Sequence, residues 1–318
     1  MLKRILLSVL ITAVILFVLF AQISLRDLYT LLTNMDPLWT SLGCAGYFLA
    51  ILFRALRYKW LIHSKDISLN ELFRISVFYN LSLMVLPSKL GELSYPYFLN
   101  KISGVNLTEG VASLIASRVY DFFVILVIFL FASTGFQGLF SVNILFIISL
   151  SVLSIGLVLL VFFHMNRLLR LASTVIEKLS KRIRKENSKS FQWVQRKIHE
   201  TAEDFYAIKA RKTYLPVALT SLFSWIMVFL TFYAFVRGFG ISIPLLHVIF
   251  GSTVAIIANA LPIGSLGNWG TLELGWAAGF LMIGLPKEQA IASGFAVHIL
   301  IFVICAVFGF ISWVTLKK

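Results

Sequence analysis

Charged residues are scarce in this sequence, and acidic residues are the scarcest. Only 13% of the 318 residues are charged, with 14 Asp and Glu against 28 Lys and Arg, while 59% are hydrophobic and the mean hydropathy is +0.91. So few charges cannot cover the surface of a water-soluble protein of this size. The composition therefore predicts an integral membrane protein. Its excess of basic residues is expected to set orientation in the bilayer, and no nucleic-acid partner is predicted.

Cysteine is almost absent as well. Cys44 and Cys305 are the only two, and they lie in apolar stretches without CxxC or Cys–His spacing. This excludes a disulfide framework and a zinc centre. No GxSxG, DxD, DDxxD or Walker pattern occurs either. The sequence therefore predicts no catalytic site, no metal and no cofactor.

Apolar runs long enough to cross a bilayer, about 20 residues of helix, predict six spanning helices. They cover roughly 5–22, 38–56, 108–134, 142–163, 214–236 and 287–314. Two further apolar segments are interrupted by proline and glycine, at Leu86–Glu92 and Leu261–Gly267, so neither is predicted to be one straight helix. The predicted fold class is all-α, a polytopic membrane protein with six spanning helices and two broken segments.

Basic residues predict which side each loop faces. Residues 164–213 carry thirteen Lys and Arg against five Asp and Glu, and basic residues also flank the first three spans and end the chain. All of these, and both termini, are predicted to be cytoplasmic. With six crossings, each broken segment must then enter and leave on one side. We therefore predict two re-entrant hairpins that point at each other, one near 70–101 from the cytoplasmic face and one near 247–284 from the outer face.

The two halves of the sequence also resemble each other. Gly104–Arg118 aligns without a gap to Gly284–His298, and each stretch opens a span directly after a broken Leu-Pro segment. We therefore predict a first membrane repeat within residues 1–163. The second repeat is predicted to begin with the span at 142–163 and to continue in residues 214–318. Inverted repeats with a discontinuous helix in each half are typical of transporters whose site lies near the bilayer midplane. The backbone groups freed at each break need protein, water or a polar ligand around them.

Residues 164–213 are predicted to form a basic, amphipathic cytoplasmic linker that is too short and too charged to fold alone. One or two helices should lie on the anionic inner leaflet, with Phe191, Trp193 and Phe205 toward lipid. The expected partners are therefore membrane lipids and this leaflet surface.

Ionisable residues at membrane depth are the candidate substrate site, because a charge that faces lipid is costly. Arg118 and Asp121 lie three residues apart on one helix, and they either neutralise each other or hold a substrate phosphate together. Lys89 and Glu92, at the first break, are either an interfacial pair or ligand contacts.

The second half offers two further ionisable candidates. Glu273 has no basic neighbour in the sequence, so its partner must be Arg118, Lys89 or another distant residue, or else it is protonated. His298 is either a hydrogen-bonded core residue or a proton relay. The complete set of predicted substrate-binding residues is Lys89, Gly91, Glu92, Arg118, Asp121, Gly264, Gly267, Glu273 and His298. The glycines allow tight turns, and the helix N-termini at the breaks offer free N–H groups to a lipid phosphate.

The motifs around these residues resemble those of the flippase-like lysylphosphatidylglycerol synthase transmembrane family, the membrane module also found in bacterial multiple-peptide-resistance proteins. The resemblance rests on Arg54–Trp60, Leu86–Glu92, Arg118–Asp121 and Leu261–Glu273, and it covers nearly the whole chain. The chain departs from the family at Tyr95, where an arginine is usual, and in lacking an arginine near His298. A basic partner for the substrate is therefore missing or relocated.

The resemblance implies translocation of phospholipids, aminoacylated lipids or polyprenyl-linked glycans in the plasma membrane, here a bacterial inner membrane. The soluble aminoacyl-transferase domain of the synthase is not expected, since only Lys317 and Lys318 follow the last span. The predicted function is movement of an anionic, phosphate-bearing lipid between leaflets, either downhill or coupled to a proton on Glu273 or His298. The alternatives are a lipid-modifying transferase that uses Glu92 with Lys89, and a non-transporting subunit of a separate lipid synthase or glycosyltransferase.

Overall fold

The computed structural model describes residues 2–87, 90–133, 144–182, 188–260 and 265–316. Within these ranges the chain is helical apart from loops and one isolated β-bridge. The helices are α1 (Leu2–Phe20), α2 (Leu25–Thr33), α3 (Pro37–Leu61), α4 (Leu69–Val85), α5 (Ser94–Ser103), α6 (Leu107–Ser133), α7 (Ile144–Arg182), α8 (Lys189–Ala210), α9 (Tyr214–Gly238), α10 (Leu245–Ala260), α11 (Thr271–Met282) and α12 (Lys287–Leu316). A 3₁₀ turn at Leu90–Leu93 precedes α5.

Four of the described helices, α3, α6, α9 and α12, are each long and apolar enough to cross a membrane. Two bent pairs raise this number to six if each pair is one span. Ser8–Phe20 and Leu25–Thr33 meet at 85°, and within α7 the segments Ser151–Met165 and Arg167–Lys178 meet at 68°. The predicted all-α polytopic fold is confirmed, and the six predicted runs fall on α1, α3, α6, α7, α9 and α12.

Helices α3 and α9 pack against each other along their whole length and run antiparallel. At one end the backbone N–H of Asp36 donates to the carbonyl of Gly238 at 3.0 Å. At the other end the hydroxyl of Thr213 donates to the carbonyl of Trp60 at 3.3 Å. Because α3 and α9 precede the broken segments of the two repeats, this packing gives the repeats opposite directions.

The first broken segment is a helical hairpin, in which α5 folds back along α4. The ring of Phe98 lies 5.4 Å from that of Phe78, and Tyr95 meets Tyr79 edge-on at 5.7 Å. Proline at position 87 cannot continue α4, because it lacks the N–H that the helix needs. The chain therefore turns between Val85 and Ser94.

The second broken segment is also a helical hairpin, in which α11 folds back along α10. Gly279 faces the backbone of Gly251, and Gly275 faces Ala255. Side chains this small let the two helix backbones approach closely.

The tips of the two hairpins meet. Pro87 and Leu266 form the isolated antiparallel bridge, and the N–H of Gly267 donates to the carbonyl of Leu86 at 3.2 Å. The tips of the two broken segments therefore lie against each other, whereas their entry from opposite faces of the membrane stays a prediction.

Replacing Gly267 by alanine should separate the tips. Gly267 has a φ of +56°, and a Cβ there would lie 2.0 Å from the carbonyl oxygen of Met84, which is backbone and cannot turn aside. We expect Gly267→Ala to lower the free energy of unfolding by about 1–3 kcal/mol, measured as a lower thermal midpoint in detergent. Gly156→Ala is the control, because nothing lies within 4 Å of its Cβ position in α7. A wild-type midpoint for Gly267→Ala would contradict the tip contact.

Residues 164–213 form the end of α7 and all of α8, so two helices occupy the predicted linker. The prediction that Phe205 points toward lipid was wrong. Its side chain is fully buried in the protein, with its ring 5.9 Å from that of Phe162. Trp193 is exposed and Phe191 is half-buried. A hydrophobic pattern marks the apolar face of a helix, but does not say whether lipid or protein covers it.

Phe205→Ala should release α8 from the bundle. Truncating a fully buried phenylalanine costs about 3 kcal/mol or more, because the cavity that remains cannot close completely. Limited proteolysis of α8 and the thermal midpoint would report this loss. Tyr206→Ala is the matched control, because its side chain is 66% exposed. Equal protease resistance of the two variants would show that Phe205 does not hold α8.

Candidate functional site

An ion pair joins the tip of the first hairpin to the middle of α6. Nη2 of Arg118 donates to both carboxylate oxygens of Glu92 at 2.7 Å. It also donates to the hydroxyl of Tyr79, which in turn donates to Oε2 of Glu92 at 2.5 Å. The side chains of Arg118 and Glu92 are 35% and 31% exposed. The pair is therefore only partly covered by the protein, although Arg118 lies midway along α6.

Gly91 is what brings Glu92 to this position. A Cβ on Gly91 would lie 2.7 Å from Cα of Leu83, so only glycine lets the returning chain pass so close to α4. The predicted role of Gly91 as a residue of close backbone approach therefore fits its surroundings.

Asp121 pairs chiefly with Arg57. Both guanidinium Nη atoms of Arg57 donate to the Asp121 carboxylate, one of them to Oδ2 at 3.3 Å, and Nε1 of Trp225 donates to Oδ1 at 2.7 Å. Arg118 lies farther away, 3.7 Å from Oδ2. Arg118 and Asp121 thus form the predicted i,i+3 pair, but each has a closer partner on another element.

Arg57, one of the basic residues that follow the predicted span at 38–56, lies within a helix and not in a loop. Helix α3 continues to Leu61, four residues beyond Arg57, and the Arg57 side chain is buried. Glu92, Arg118, Asp121 and Arg57 thus form a chain of alternating charges from the first hairpin through α6 to α3. Opposite charges side by side in this order stabilise one another where water is scarce.

The second half of the chain holds a buried pair, Glu273 and His298. Nδ1 of His298 lies 2.6 Å from Oε1 of Glu273, and the N–H of Gly270 donates to Oε2 at 2.7 Å. The ring of Trp269 stacks on the imidazole, with ring centroids 4.1 Å apart. The side chains of Glu273 and His298 are 0% and 3% exposed. The partner of Glu273 is thus a distant residue, as predicted, but it is His298 and not Arg118.

The two pairs occupy equivalent places in the repeats. Arg118 and His298 are aligned in sequence, and each meets a glutamate from the hairpin that precedes its helix. A second hydrogen bond repeats this relationship. Ser113 lies 3.3 Å from the hydroxyl of Tyr95, and Ser293 accepts from Nε1 of Trp276 at 3.1 Å.

Tyr95 stands where the family resemblance implies an arginine. It does not supply a partly exposed polar group at that position. Its side chain is buried and stacks on Tyr58, with ring centroids 4.1 Å apart. Among the described residues, Arg118 of α6 supplies a basic group beside the first hairpin tip.

The structure thus divides the predicted site residues between two clusters that flank the tip contact. Gly91, Glu92, Arg118 and Asp121 belong to the first, and Gly267, Glu273 and His298 belong to the second. Lys89 and Gly264 lie outside the described residues. Sequence reasoning missed Arg57, Tyr79, Trp225 and Trp269. The Arg54–Trp60 motif signalled Arg57, whereas the aromatic residues had no distinguishing pattern.

A third ionisable group lies where α8 packs against the α3–α4 loop. Glu109 accepts the backbone N–H of His63 at 2.6 Å, and Asp204 of α8 lies 3.8 Å from Nε2 of the same histidine. Burial raises the pKa of the Asp204 carboxyl above its ordinary value. His199 and Asp204 have the catalytic HxxxxD spacing, but His199 pairs with Glu203 at 3.2 Å on the exposed face. Among the described residues, no group of three or more metal-ligating side chains forms.

These features define a polytopic α-helical membrane protein in which two helical hairpins meet at their tips, with a glutamate hydrogen-bonded to a basic side chain beside each tip. The family model of the lysylphosphatidylglycerol synthase TM region matches residues 5–309, and the chain belongs to this family. A comparison with curated proteins finds no match.

Proposed function

We propose that this protein moves an anionic, phosphate-bearing lipid between the leaflets of a bacterial inner membrane. The carrying observation is that the Arg118–Glu92 pair is about one-third exposed although Arg118 lies midway along the spanning helix α6. A charged pair open to hydrocarbon at this depth is costly, so the opening must hold water or a polar head group. Membership of a family of lipid-related membrane regions supports a lipid as the ligand.

Arg118 is the proposed phosphate ligand. Its planar guanidinium can donate two parallel hydrogen bonds to a phosphate, as it does to a carboxylate. In the structure Nη2 of Arg118 donates to Glu92, and an arriving phosphate displaces this carboxylate in the proposed mechanism. The acyl chains stay in the surrounding lipid, so only the head group needs a polar route.

Alternation between the two sides follows from the opposite directions of the repeats. The contact of Pro87 with Leu266 is the proposed barrier, and a head group passes when one hairpin withdraws from it. Such rocking of inverted repeats about a central site is a common route of transport. In this proposal the protein is a transporter and not an enzyme, its termini and residues 164–213 are cytoplasmic, and the basic α7–α8 segment contacts anionic lipid.

Reconstitution in liposomes tests this function. Purified protein is placed in vesicles with a fluorescent anionic phospholipid, and dithionite is added outside to quench the accessible fluorophores. We expect quenching to proceed from the outer-leaflet half to nearly all of the lipid, while protein-free vesicles stop at the outer leaflet. A fluorescent diacylglycerol without phosphate controls for unspecific leakage. Quenching that stops at the outer leaflet in the presence of protein would overturn the proposal.

A further inference from the structure

We propose that Glu273 and His298 form a proton-binding site whose occupancy controls the contact between the two hairpin tips. This inference rests on the proposed function, because it names a proton as the ligand that opens and closes the same barrier. Its test reads the tip contact directly and needs no lipid movement.

The pair has the chemistry of a proton site. Histidine is the side chain that ordinarily titrates between about pH 5 and pH 8. With a proton the pair is a neutral glutamate–imidazolium ion pair, and without it the pair carries one buried negative charge. Trp269, which stacks on His298, packs in a hydrophobic cluster with side chains from α1, α2 and α12, among them Ile15, Leu16, Leu19, Leu28 and Phe295.

The other charged groups on the neighbouring helices lie elsewhere along those helices or pair with other residues. Lys3 and Arg4 begin α1, about three turns before Ile15. Arg237 at the end of α9 donates to Ser242 at 2.7 Å. The remaining groups are Arg26 and Asp27, exposed on α2, Lys287 and Glu288, exposed at the start of α12, His247, partly exposed at the start of α10, and Glu71 and Arg74, in the first turns of α4. Across the tip contact, Arg118 and Glu92 are bound to each other.

The pair holds one side of the second hairpin tip. Glu273 accepts the N–H of Gly270 at 2.7 Å, which fixes the start of α11, and the ring of Trp269 stacks on His298. The positions of Trp269 and Gly270 therefore depend on where the side chains of Glu273 and His298 lie.

The preceding two residues hold the other side of the same tip against the first hairpin. The N–H of Gly267 donates to the carbonyl of Leu86 at 3.2 Å, and Nδ2 of Asn268 donates to the carbonyl of Leu83 at 3.2 Å. Four consecutive residues, 267–270, thus link the proton site to the first hairpin. A movement of the pair is transmitted through one short segment to the tip contact.

The two repeats differ in the basic residue that pairs with the hairpin glutamate. The equivalent position in the first half is Arg118, which stays charged at all relevant pH values. Only the second pair can release its proton. Loss of the proton leaves the Glu273 carboxylate buried without a counter-charge, and segment 267–270 then moves to let water reach it, which parts the tips.

Cross-linking between the tips tests the inference. Pro87→Cys and Leu266→Cys are introduced together into protein in which Cys44 and Cys305 are alanine, and the variant is reconstituted in liposomes. The rate of disulfide formation under a constant oxidant is measured at about pH 5.5 and at about pH 8, on either side of histidine titration. Thiol ionisation alone makes this rate rise with pH. Variants in which Glu273 cannot be left as a buried carboxylate without a counter-charge supply that baseline.

The two matched backgrounds are His298→Arg, which installs the permanent cation of the first repeat, and Glu273→Gln, which keeps an acceptor oxygen for Gly270. We compare the parent with each background at the same pH. At about pH 8 we expect the parent to cross-link several-fold more slowly than either background. The same pH dependence in the parent and in both backgrounds would overturn the inference. If His298→Arg does not fold, the comparison of the parent with Glu273→Gln alone tests the inference. Lipid quenching in the same vesicles separately decides the proposed function.

Discussion

Arg118→Ala is expected to reduce lipid movement in liposomes nearly to the protein-free rate while the protein stays folded. Loss of a charge-assisted hydrogen bond to phosphate costs about 1.5–3 kcal/mol, which corresponds to roughly a ten- to hundredfold slower rate. The fold should survive, because the Glu92 side chain that is left without its cation is 31% exposed and can be hydrated. Dithionite quenching measures the rate, and gel filtration in detergent measures the fold.

Two further variants make this test specific. Arg118→Lys keeps the charge but cannot form the two parallel bonds, so it should fall between the wild type and Arg118→Ala. Arg196→Ala removes an arginine from the exposed surface of α8 and should quench at the wild-type rate. Folded Arg118→Ala protein with wild-type quenching would exclude Arg118 as the phosphate ligand.

Arg57→Met is expected to cause the largest loss of stability. It leaves the Asp121 carboxylate buried, with Trp225 as a donor and Arg118 at 3.7 Å. Removing one member of a buried ion pair costs about 3–5 kcal/mol, because the remaining charge is not compensated. The thermal midpoint in detergent and the yield of monodisperse protein would report this loss.

The double variant Arg57→Met/Asp121→Leu separates charge burial from loss of packing. Removing both charges should recover most of the stability, since apolar residues can replace a buried pair at little cost. Lys181→Ala, which removes one member of an exposed pair with Glu177, should leave the midpoint unchanged. If the double variant is no more stable than Arg57→Met, an uncompensated Asp121 is not the cause of the loss.

The sequence by itself determined the fold class, the spans and the two helix breaks. Bilayer thickness fixes how long an apolar run must be, so the six runs could be read directly from hydropathy. Pro87 and Pro262 with their neighbouring glycines marked both breaks, because proline cannot continue a helix. The ionisable residues of the two clusters were also picked out, since ionisable residues in apolar runs are few and costly. All of these are local properties of the chain.

Only the tertiary structure decided which residues are partners. Arg57 meets Asp121 across 64 positions, and Glu273 meets His298 across 25, because the packing of whole helices brings them together. Periodicity along one helix does not encode which other helix covers a given face. The same ambiguity misplaced Phe205, since lipid and protein both accept an apolar side chain. The physical reason is that helix formation is governed by near neighbours, whereas the pairing of charges depends on three-dimensional distance.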